Sequence, residues 1–300
     1  MSVRYRVWHE THYVYPDTVP HALSEARVQP RDTPWQRRRW GRVLLRPEAE
    51  DRRERVDPFG NPVLFFSVQE PHMEATVLSE FEVELFPECR PDSGASSMRW
   101  ADMADWLEAN RHTAEGLEAR PWTFASPAVP RVDVIVEAAR ERFGEDASLL
   151  GACGRWMEWI HTTFRYDGAA TLVDTPVLEA FETGAGVCQD FAHIMLCGLR
   201  GLGLPARYVS GYLETLPPPG EEKLVGADAT HAWVSVFDPS AGWIDFDPTN
   251  NLLPSDQHIT LGWGRDFTDV IPVKGVVMGG DRQEIEVRVD VEKEKSDTNL

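Results

Sequence analysis

Hydrophobic and polar side chains alternate through the first part of the chain, in runs that Pro and Gly separate. The alternation covers residues 5–15 and most of residues 76–86. A period of two residues is typical of strands that bury one face. The composition of residues 57–62 predicts a turn between a charged strand and an apolar strand. Residues 1–95 are therefore expected to form an antiparallel, sandwich-like β domain.

The spacing of apolar residues becomes helical in the middle of the chain. Apolar residues recur at intervals of three and four over residues 98–109, 132–143 and 149–164, and this spacing predicts three amphipathic helices. Beyond residue 180 the pattern predicts one more helix and then three strands. Together the runs predict an α+β fold.

The change of period indicates where the chain divides into domains. After the β domain, residues 96–291 are expected to hold a helical segment and a second domain of mixed structure. Residues 292–300 are polar and are expected to form a disordered tail.

Composition narrows the classes of function. The 300 residues include 30 basic and 49 acidic side chains, so the formal net charge is −19. The hydrophobic fraction of 42% is that of a globular protein with a full core. Nucleic-acid affinity comes mainly from Lys and Arg that neutralise phosphates. The charge therefore argues against binding to DNA, RNA or an anionic membrane surface.

Targeting signals and cysteine usage favour a reducing compartment. The start of the chain shows no apolar leader, and no apolar run reaches about 18 residues, so the protein is expected in the cytoplasm. The cysteines lack a C-x-x-C pair and the spacing of a zinc site. We therefore expect free thiols, no metal and no cofactor. The cysteines are Cys89, Cys153, Cys188 and Cys197.

Cys188 is the candidate nucleophile. A Gly-rich stretch leads into an apolar helix that is predicted to begin at Cys188 and to end near Arg200, before Gly201 and Gly203. The unpaired amides and the dipole of a helix N-terminus favour a thiolate, and the same amides can receive an oxyanion. A free cysteine is also among the most frequently buried residues, so this position alone leaves a structural role open.

Two histidines are candidates for the catalytic base. His193 lies five residues beyond Cys188, about 140° around the helix, and is expected to face elsewhere with a structural role. His231 instead begins an alternating strand that is followed by a turn and a second strand, which predicts a β-hairpin. If Phe237 pairs with Trp243, His231 and Asp247 are diagonal neighbours on one face.

This hairpin would supply the two partners that a nucleophilic thiol needs. Asp247 could orient the imidazole of His231, and His231 could exchange a proton with Cys188. Taken singly, a half-buried strand histidine and an Asp-Pro turn residue are equally good interpretations. The three residues together favour catalysis.

Several segments resemble the bacterial transglutaminase-like family. They are Gly186-Val187-Cys188-Gln189-Asp190-Phe191-Ala192-His193, residues 205–212, His231-Ala232-Trp233-Val234 and residues 242–249, with further similarity at 57–61, 258–260 and 264–270. The resemblance implies a papain-like α+β core, in which a helix bearing the cysteine packs on an antiparallel sheet bearing the histidine and the aspartate. It maps a Cys-His-Asp triad onto Cys188, His231 and Asp247.

The resemblance also implies a role for an aromatic residue upstream of the cysteine. Tyr166 occupies the similar position, where it would complete an oxyanion hole with Cys188. A buried tyrosine with a satisfied hydroxyl explains the residue equally well.

The function that follows is thiol-dependent acyl transfer from a carboxamide or peptide bond through an acyl-enzyme, as in a cysteine peptidase, an amidase or a transglutaminase. The expected partner is a peptide or protein substrate, and the resemblance implies an association with peptide-ligating ATP-grasp proteins. The alternative is a module of the same fold that binds a peptide or protein without catalysis. The acyl acceptor, the oligomeric state and a lid role for the loop at 214–230 stay open.

Overall fold

A computed structural model of the chain describes residues 2–91, 96–214, 230–279 and 282–294. The N-terminal strands are β1 (Val3–Val19), β2 (His21–Ala26), β3 (Gln36–Arg46), β4 (Asp51–Val56), β5 (Pro62–Val68) and β6 (His72–Leu85). The next helices are α1 (Met103–Ala109), α2 (Ala114–Ala119), α3 (Asp133–Phe143) and α4 (Leu149–Thr163). The remaining elements are β7 (Arg165–Tyr166), α5 (Val177–Thr183), β8 (Ala185–Gly186), α6 (Cys188–Gly201), β9 (Ala206–Leu213), β10 (Thr230–Asp238), β11 (Gly242–Phe246), β12 (His258–Gly264), β13 (Val273–Met278) and β14 (Glu284–Lys293).

Two four-stranded sheets form the β domain, with strand orders β14-β1-β6-β3 and β13-β2-β5-β4. All their pairings are antiparallel. In β1, Tyr5, Val7 and His9 are buried, as their alternation predicts. Apolar side chains of both sheets, such as Tyr15 and Phe66, share one core. The prediction of an antiparallel N-terminal β domain is therefore confirmed.

The end of the chain differs from the predicted domain boundary. β13 pairs with β2 and β14 pairs with β1, so the last two strands complete both N-terminal sheets. β14 also runs to Lys293, into the segment that was expected to be a disordered tail. These pairings correct the assignment of residues 273–291 to the second domain and of 292–293 to the tail. An alternating pattern reveals a strand but not a partner at the other end of the sequence. Residues 295–300 lie outside the described residues.

The second domain is built around α6. A four-stranded antiparallel sheet of order β11-β10-β9-β12 packs against this helix, and α3 and α4 cover its other sides. Apolar residues surround α6, and a helix of that composition is stable only when it is buried. The predicted mixed α+β core is thus confirmed. The helix expected at 98–109 begins at Met103, after a short 3₁₀ turn at Trp100–Asp102.

The β domain packs directly on the sheet of the second domain. Tyr5 and Phe81 share an apolar cluster with Tyr212 and other residues of that sheet. Gln36 ties the two parts together, because its side chain donates to the Thr260 carbonyl at 2.7 Å and accepts from the Thr260 amide at 2.8 Å. The sheet that carries the candidate site is therefore held between α6 and the β domain.

Candidate active site

Cys188 is the first residue of α6, as predicted, and it is half-buried. Asp190 fixes this helix start, because one of its carboxylate oxygens accepts from the Val187 amide at 2.8 Å and from the Thr171 hydroxyl at 2.6 Å. The residue before Val187 must be small. A Cβ at Gly186 would lie 2.6 Å from the same Asp190 oxygen. The Gly-rich segment before Cys188 thus allows the helix to begin at the residue that carries the thiol.

The hairpin of β10 and β11 has the predicted register. Phe237 pairs with Trp243, and Val234 pairs with Phe246. The Nε2–H of His231 donates to Asp247 Oδ2 at 2.8 Å. Cys188 is close enough to His231 to favour its charged form. Because Nε2 is engaged by Asp247, Nδ1 is the ring nitrogen that is left for the thiol.

Asp247 is fully buried and accepts several hydrogen bonds. Its Oδ2 accepts from His231, from His258 Nε2 at 3.0 Å and from Asn250 Nδ2 at 2.8 Å. Its Oδ1 accepts from the backbone amides of Thr249 and Asn250. Burial alone would raise the pKa of Asp247, but the hydrogen bonds outweigh it and hold the pKa below its usual range. Asp247 is therefore a carboxylate.

The charge of His231 follows from these neighbours. Burial disfavours the imidazolium, whereas the hydrogen bond with Asp247, the nearness of Cys188 and the charges of both partners favour it. The balance raises the pKa of His231 to about 10. An imidazolium held between a carboxylate and a sulfur is the state in which histidine can deliver a proton to a leaving group.

His258 is a member of this network that the sequence reasoning did not place in the site. It is buried on β12, its Nε2 donates to Asp247, and its Nδ1 has no hydrogen-bond partner among the described residues. Burial lowers the pKa of His258, although the Asp247 charge opposes this shift. His258 therefore stays neutral, with its proton directed at Asp247. Its only sequence signal was its position in a segment resembling the family.

Tyr166 lies close to the thiol but is not buried. The pairing of β7 with β8 sets Tyr166 opposite Gly186, two residues before Cys188. The side chain is 59% exposed, and its ring meets Phe191 edge-on at a centroid distance of 6.4 Å. Partial burial raises the pKa of Tyr166, and the charge of Cys188 adds to this effect. The alternative of a buried tyrosine with a satisfied hydroxyl does not describe it, and its role in an oxyanion hole stays a prediction.

His193 points away from the thiol, as predicted. It is buried, its Nε2 accepts from the Phe267 amide at 3.3 Å, and its ring packs against Tyr208. Burial lowers the pKa of His193 to about 4. Its contacts are those of a structural residue.

One group of described residues has the composition of a metal site. The ligand atoms of His231, Asp247 and His258 lie within 4.8 Å of one another. Both imidazoles direct Nε2 at the same Asp247 oxygen. The hydrogen bonds of the network therefore account for this grouping. The loop at 214–230, for which a lid role was left open, falls almost entirely on residues outside the described ranges.

Comparisons with known proteins agree with this architecture. Residues 138–248 match the family model of the transglutaminase-like superfamily, and residues 5–84 match that of the bacterial transglutaminase-like N-terminal region. An uncharacterized protein of Mycobacterium tuberculosis is 36% identical over 293 residues, which cover 96% of this chain and 92% of that protein. A protein-glutamine gamma-glutamyltransferase of Pseudomonas aeruginosa is 33% identical over 157 residues, which cover 51% of this chain and 23% of that protein.

A solved structure shares the whole fold. The crystal structure of a Cytophaga hutchinsonii protein, provisionally named a cysteine protease, matches with a TM-score of 0.78 and 18% sequence identity. The match covers 100% of this chain and 93% of that chain. At this identity the likeness shows a common fold. Within the described ranges, every helix is too short or too polar to cross a membrane.

Proposed function

The chain belongs to the transglutaminase-like superfamily, and from this premise we propose that it is a thiol-dependent acyl-transfer enzyme. Cys188 is the proposed nucleophile, His231 the acid and base, and Asp247 the residue that orients His231. The observation that carries the proposal is the hydrogen bond between His231 and Asp247, with Cys188 close enough to His231 to favour its charged form. In such an arrangement a thiolate is prepared beside its proton donor.

The proposed reaction begins with attack of the Cys188 sulfur on the carbonyl carbon of a carboxamide or peptide bond. A C–S bond forms, the C–N bond breaks, and the leaving amine takes a proton from His231. An incoming amine or water then attacks the thioester and gives a proton to His231, and the C–S bond breaks. The Cys188 amide at the helix start and the Tyr166 hydroxyl are the proposed donors to the transient oxyanion.

The relative from Pseudomonas aeruginosa supports a carboxamide as donor. Its name assigns it to γ-glutamyl transfer from protein-bound glutamine. We propose a peptide or protein donor for this chain, with the acyl acceptor to be decided by experiment, because acceptor choice depends on how dry the site is rather than on the three residues. A cytoplasmic location and an association with peptide-ligating ATP-grasp proteins stay predictions.

Thiol reactivity tests the proposal directly. We expect iodoacetamide to label Cys188 faster than the other three cysteines at neutral pH. His231→Ala and Asp247→Ala should remove this advantage. Peptide mass spectrometry reads all four cysteines in one sample, so exposed Cys89 is the matched internal control.

The same samples decide between catalysis and binding alone. If Cys188 labels no faster than Cys89 in the unmodified protein, the enzyme proposal is wrong and a non-catalytic peptide-binding module becomes the better explanation. If the advantage is present, amide donors can be screened with and without a primary amine. Release of ammonia without amine incorporation indicates hydrolysis, and incorporation indicates transfer.

A further inference from the structure

A cavity of about 440 Å³ lies where the β domain meets the core sheet. Its walls include three arginines and three aromatic residues, and none of the residues of the candidate active site lines it. We call it the arginine pocket. The six residues are Arg31, Phe59, Trp122, Arg207, Trp263 and Arg265.

Arg207 is the unusual member of the pocket. It lies on β9 and is only 4% exposed. Its guanidinium carbon is 4.0 Å from the ring centroid of Trp243 and 3.6 Å from that of Trp263. Its Nε is buried without a hydrogen-bond partner, and no described residue makes a hydrogen bond or ion pair with its guanidinium. A buried cation is normally paired, because an isolated one loses its hydration without compensation.

Arg31 adds a second cation to the same indole. Its guanidinium carbon lies 3.2 Å from the Trp263 centroid, and two guanidinium groups this close cannot share one face of a ring. Trp263 is therefore sandwiched between Arg31 and Arg207. Among the described residues, the hydrogen-bond acceptors of Arg31 are neutral, namely the Phe59 carbonyl at 3.0 Å and Asn61 Oδ1 at 2.7 Å, and its own Nε has no partner.

Nearby carboxylates balance this pair only in part. Asp245 attracts Arg207 and Asp57 attracts Arg31. However, Asp245 already pairs with Arg90 at 3.1 Å and Asp57 with Arg27 at 3.5 Å.

The other two charged residues that line the pocket are Arg265 and Glu118. Arg265 is occupied by Asp269, which accepts from both its Nε and its NH2 group at 2.9 Å. Glu118, on the rim, accepts from the Trp243 indole N–H at 2.7 Å. Burial lowers the pKa of Arg207 to about 9, the charges of Asp245 and Glu118 oppose this shift, and the charge of Arg31 adds to it. Arg207 is still a cation at neutral pH, and the pocket carries an excess of positive charge.

The chemistry of the walls defines what would complement them. A guanidinium edge matches a carboxylate with two parallel N–H···O bonds. Phe59 and Trp122 pack against each other with their ring planes tilted by 43° at a centroid distance of 5.4 Å, and they offer an apolar wall. The net charge of −19 disfavours the approach of a multiply charged anion. We propose that the arginine pocket binds a singly charged organic carboxylate whose flat or apolar body packs on these aromatic residues.

A pair of isosteric probes tests the proposal by binding rather than by activity, so the result is independent of the proposed enzyme function. Benzoate and benzamide have the same shape and differ in charge. We expect saturable binding of benzoate in calorimetry and in tryptophan fluorescence, with benzamide at least about tenfold weaker, the usual effect of removing a charged hydrogen-bond partner. Binding should persist in Cys188→Ala, because the active site is not involved.

Matched variants test whether benzoate binds in the arginine pocket. Arg31→Gln should weaken benzoate about tenfold or more, whereas Arg265→Gln should change it less than about twofold, because the charge of Arg265 is already balanced by Asp269. Arg207→Gln is the direct variant, and Arg31→Gln keeps the test decisive if it fails to fold. Equal binding of benzoate and benzamide, unchanged binding in Arg31→Gln, or preference for inorganic phosphate over benzoate would overturn the proposal.

A second probe pair identifies the source of the carboxylate. A short peptide that ends in phenylalanine is compared with the same peptide carrying a C-terminal amide. Preference for the free carboxylate supports the pocket as a site for peptide ends. Binding of benzoate without either peptide supports it as a site for small acids.

Discussion

Asp247 Oδ2 is the single atom on which the candidate site converges. It accepts hydrogen bonds from two imidazoles and one carboxamide, those of His231, His258 and Asn250. His231 lies on the same hairpin as Asp247, and Asn250 follows it by three residues in a turn. His258 comes from β12, on the far side of β9. Its Nε2–H restricts the rotation of the carboxylate, and we infer that His258 positions Asp247 for His231.

Replacing His258 by Phe tests this positioning role, which rests on the proposed function. The ring is kept and the donor to Asp247 is lost. We expect Cys188 alkylation at neutral pH to slow about tenfold and its pH profile to move, because small misplacements of catalytic groups have effects of this size or larger. Labelling rates between pH 5 and 9 measure both changes, and His258→Gln, which can still donate, should recover much of the rate.

Trp233 offers the matched control. It is buried next to His258, at a ring centroid distance of 5.2 Å, and its indole N–H has no partner among the described residues. Trp233→Phe therefore disturbs the packing of the same cluster without removing a hydrogen bond to Asp247. If His258→Phe and Trp233→Phe give the same pH profile, His258 has no positioning role.

At the scale of elements, the contact between α3 and α6 depends on two glycines. A Cβ at Gly201 would lie 2.1 Å from Val136 Cγ2, and one at Gly198 would lie 2.8 Å from Ala139 Cβ. Gly201→Ala should therefore reduce the free energy of unfolding by about 1–3 kcal/mol, the range for overpacking a core. Urea denaturation measures the change, and adding Val136→Ala should restore part of it.

Gly154 in α4 is the control for the intrinsic effect of glycine in a helix. A Cβ built on it meets no atom within 4 Å, so Gly154→Ala should stabilise the protein by about 0.5–1 kcal/mol. We therefore predict that Gly154→Ala and Gly201→Ala change the free energy of unfolding with opposite signs. A stabilising Gly201→Ala would show that α3 and α6 are not in this close contact.

The limits of sequence-based prediction also lie at the scale of elements. The register of β10 with β11 was predictable, because a short turn joins them and fixes which residues face each other. The bounds of α6 were also predictable, because a Gly-rich segment precedes its first residue and Gly201 and Gly203 mark its end. The pairing of β14 with β1 was not predictable, because no turn links strands about 280 residues apart. The place of His258 in the site was not predictable for the same reason, because β12 reaches the site through its pairing with β9.

At the scale of the whole molecule, four histidines with perturbed pKa values are distributed over both parts of the fold. Burial lowers the pKa of His258 beside the active site. Burial lowers the pKa of His9 in the β domain and of His193 in α6 to about 4 each. The pKa of His231 is instead raised to about 10 by Asp247 and Cys188, against the effect of burial. In the unfolded chain each of them titrates near 6.5. The two kinds of shift act on opposite sides of neutral pH.

The free energy of unfolding is therefore expected to have a maximum near pH 6.5. Below that pH the unfolded chain protonates His9 and His193 while the folded protein does not, so each removes up to about 3 kcal/mol as the pH falls from 6.5 to about 4. The contribution of His231 is complete below pH 6.5 and is lost progressively as the pH rises towards 10. Urea midpoints measured from pH 5 to 9 report the loss of stability on both sides of this maximum.

Single variants test which histidine causes the loss of stability at acid pH. His193→Gln keeps an acceptor for the Phe267 amide but removes the titrating group. Its slope below pH 6 should be shallower by about 1.4 kcal/mol per pH unit, the value for one proton. His112, which is exposed, gives the control, because His112→Gln should leave the slope unchanged. The slope remains informative even if His193→Gln is less stable at every pH. Equal slopes below pH 6 for His193→Gln and the unmodified protein would mean that the folded state protonates His193 as readily as the unfolded chain.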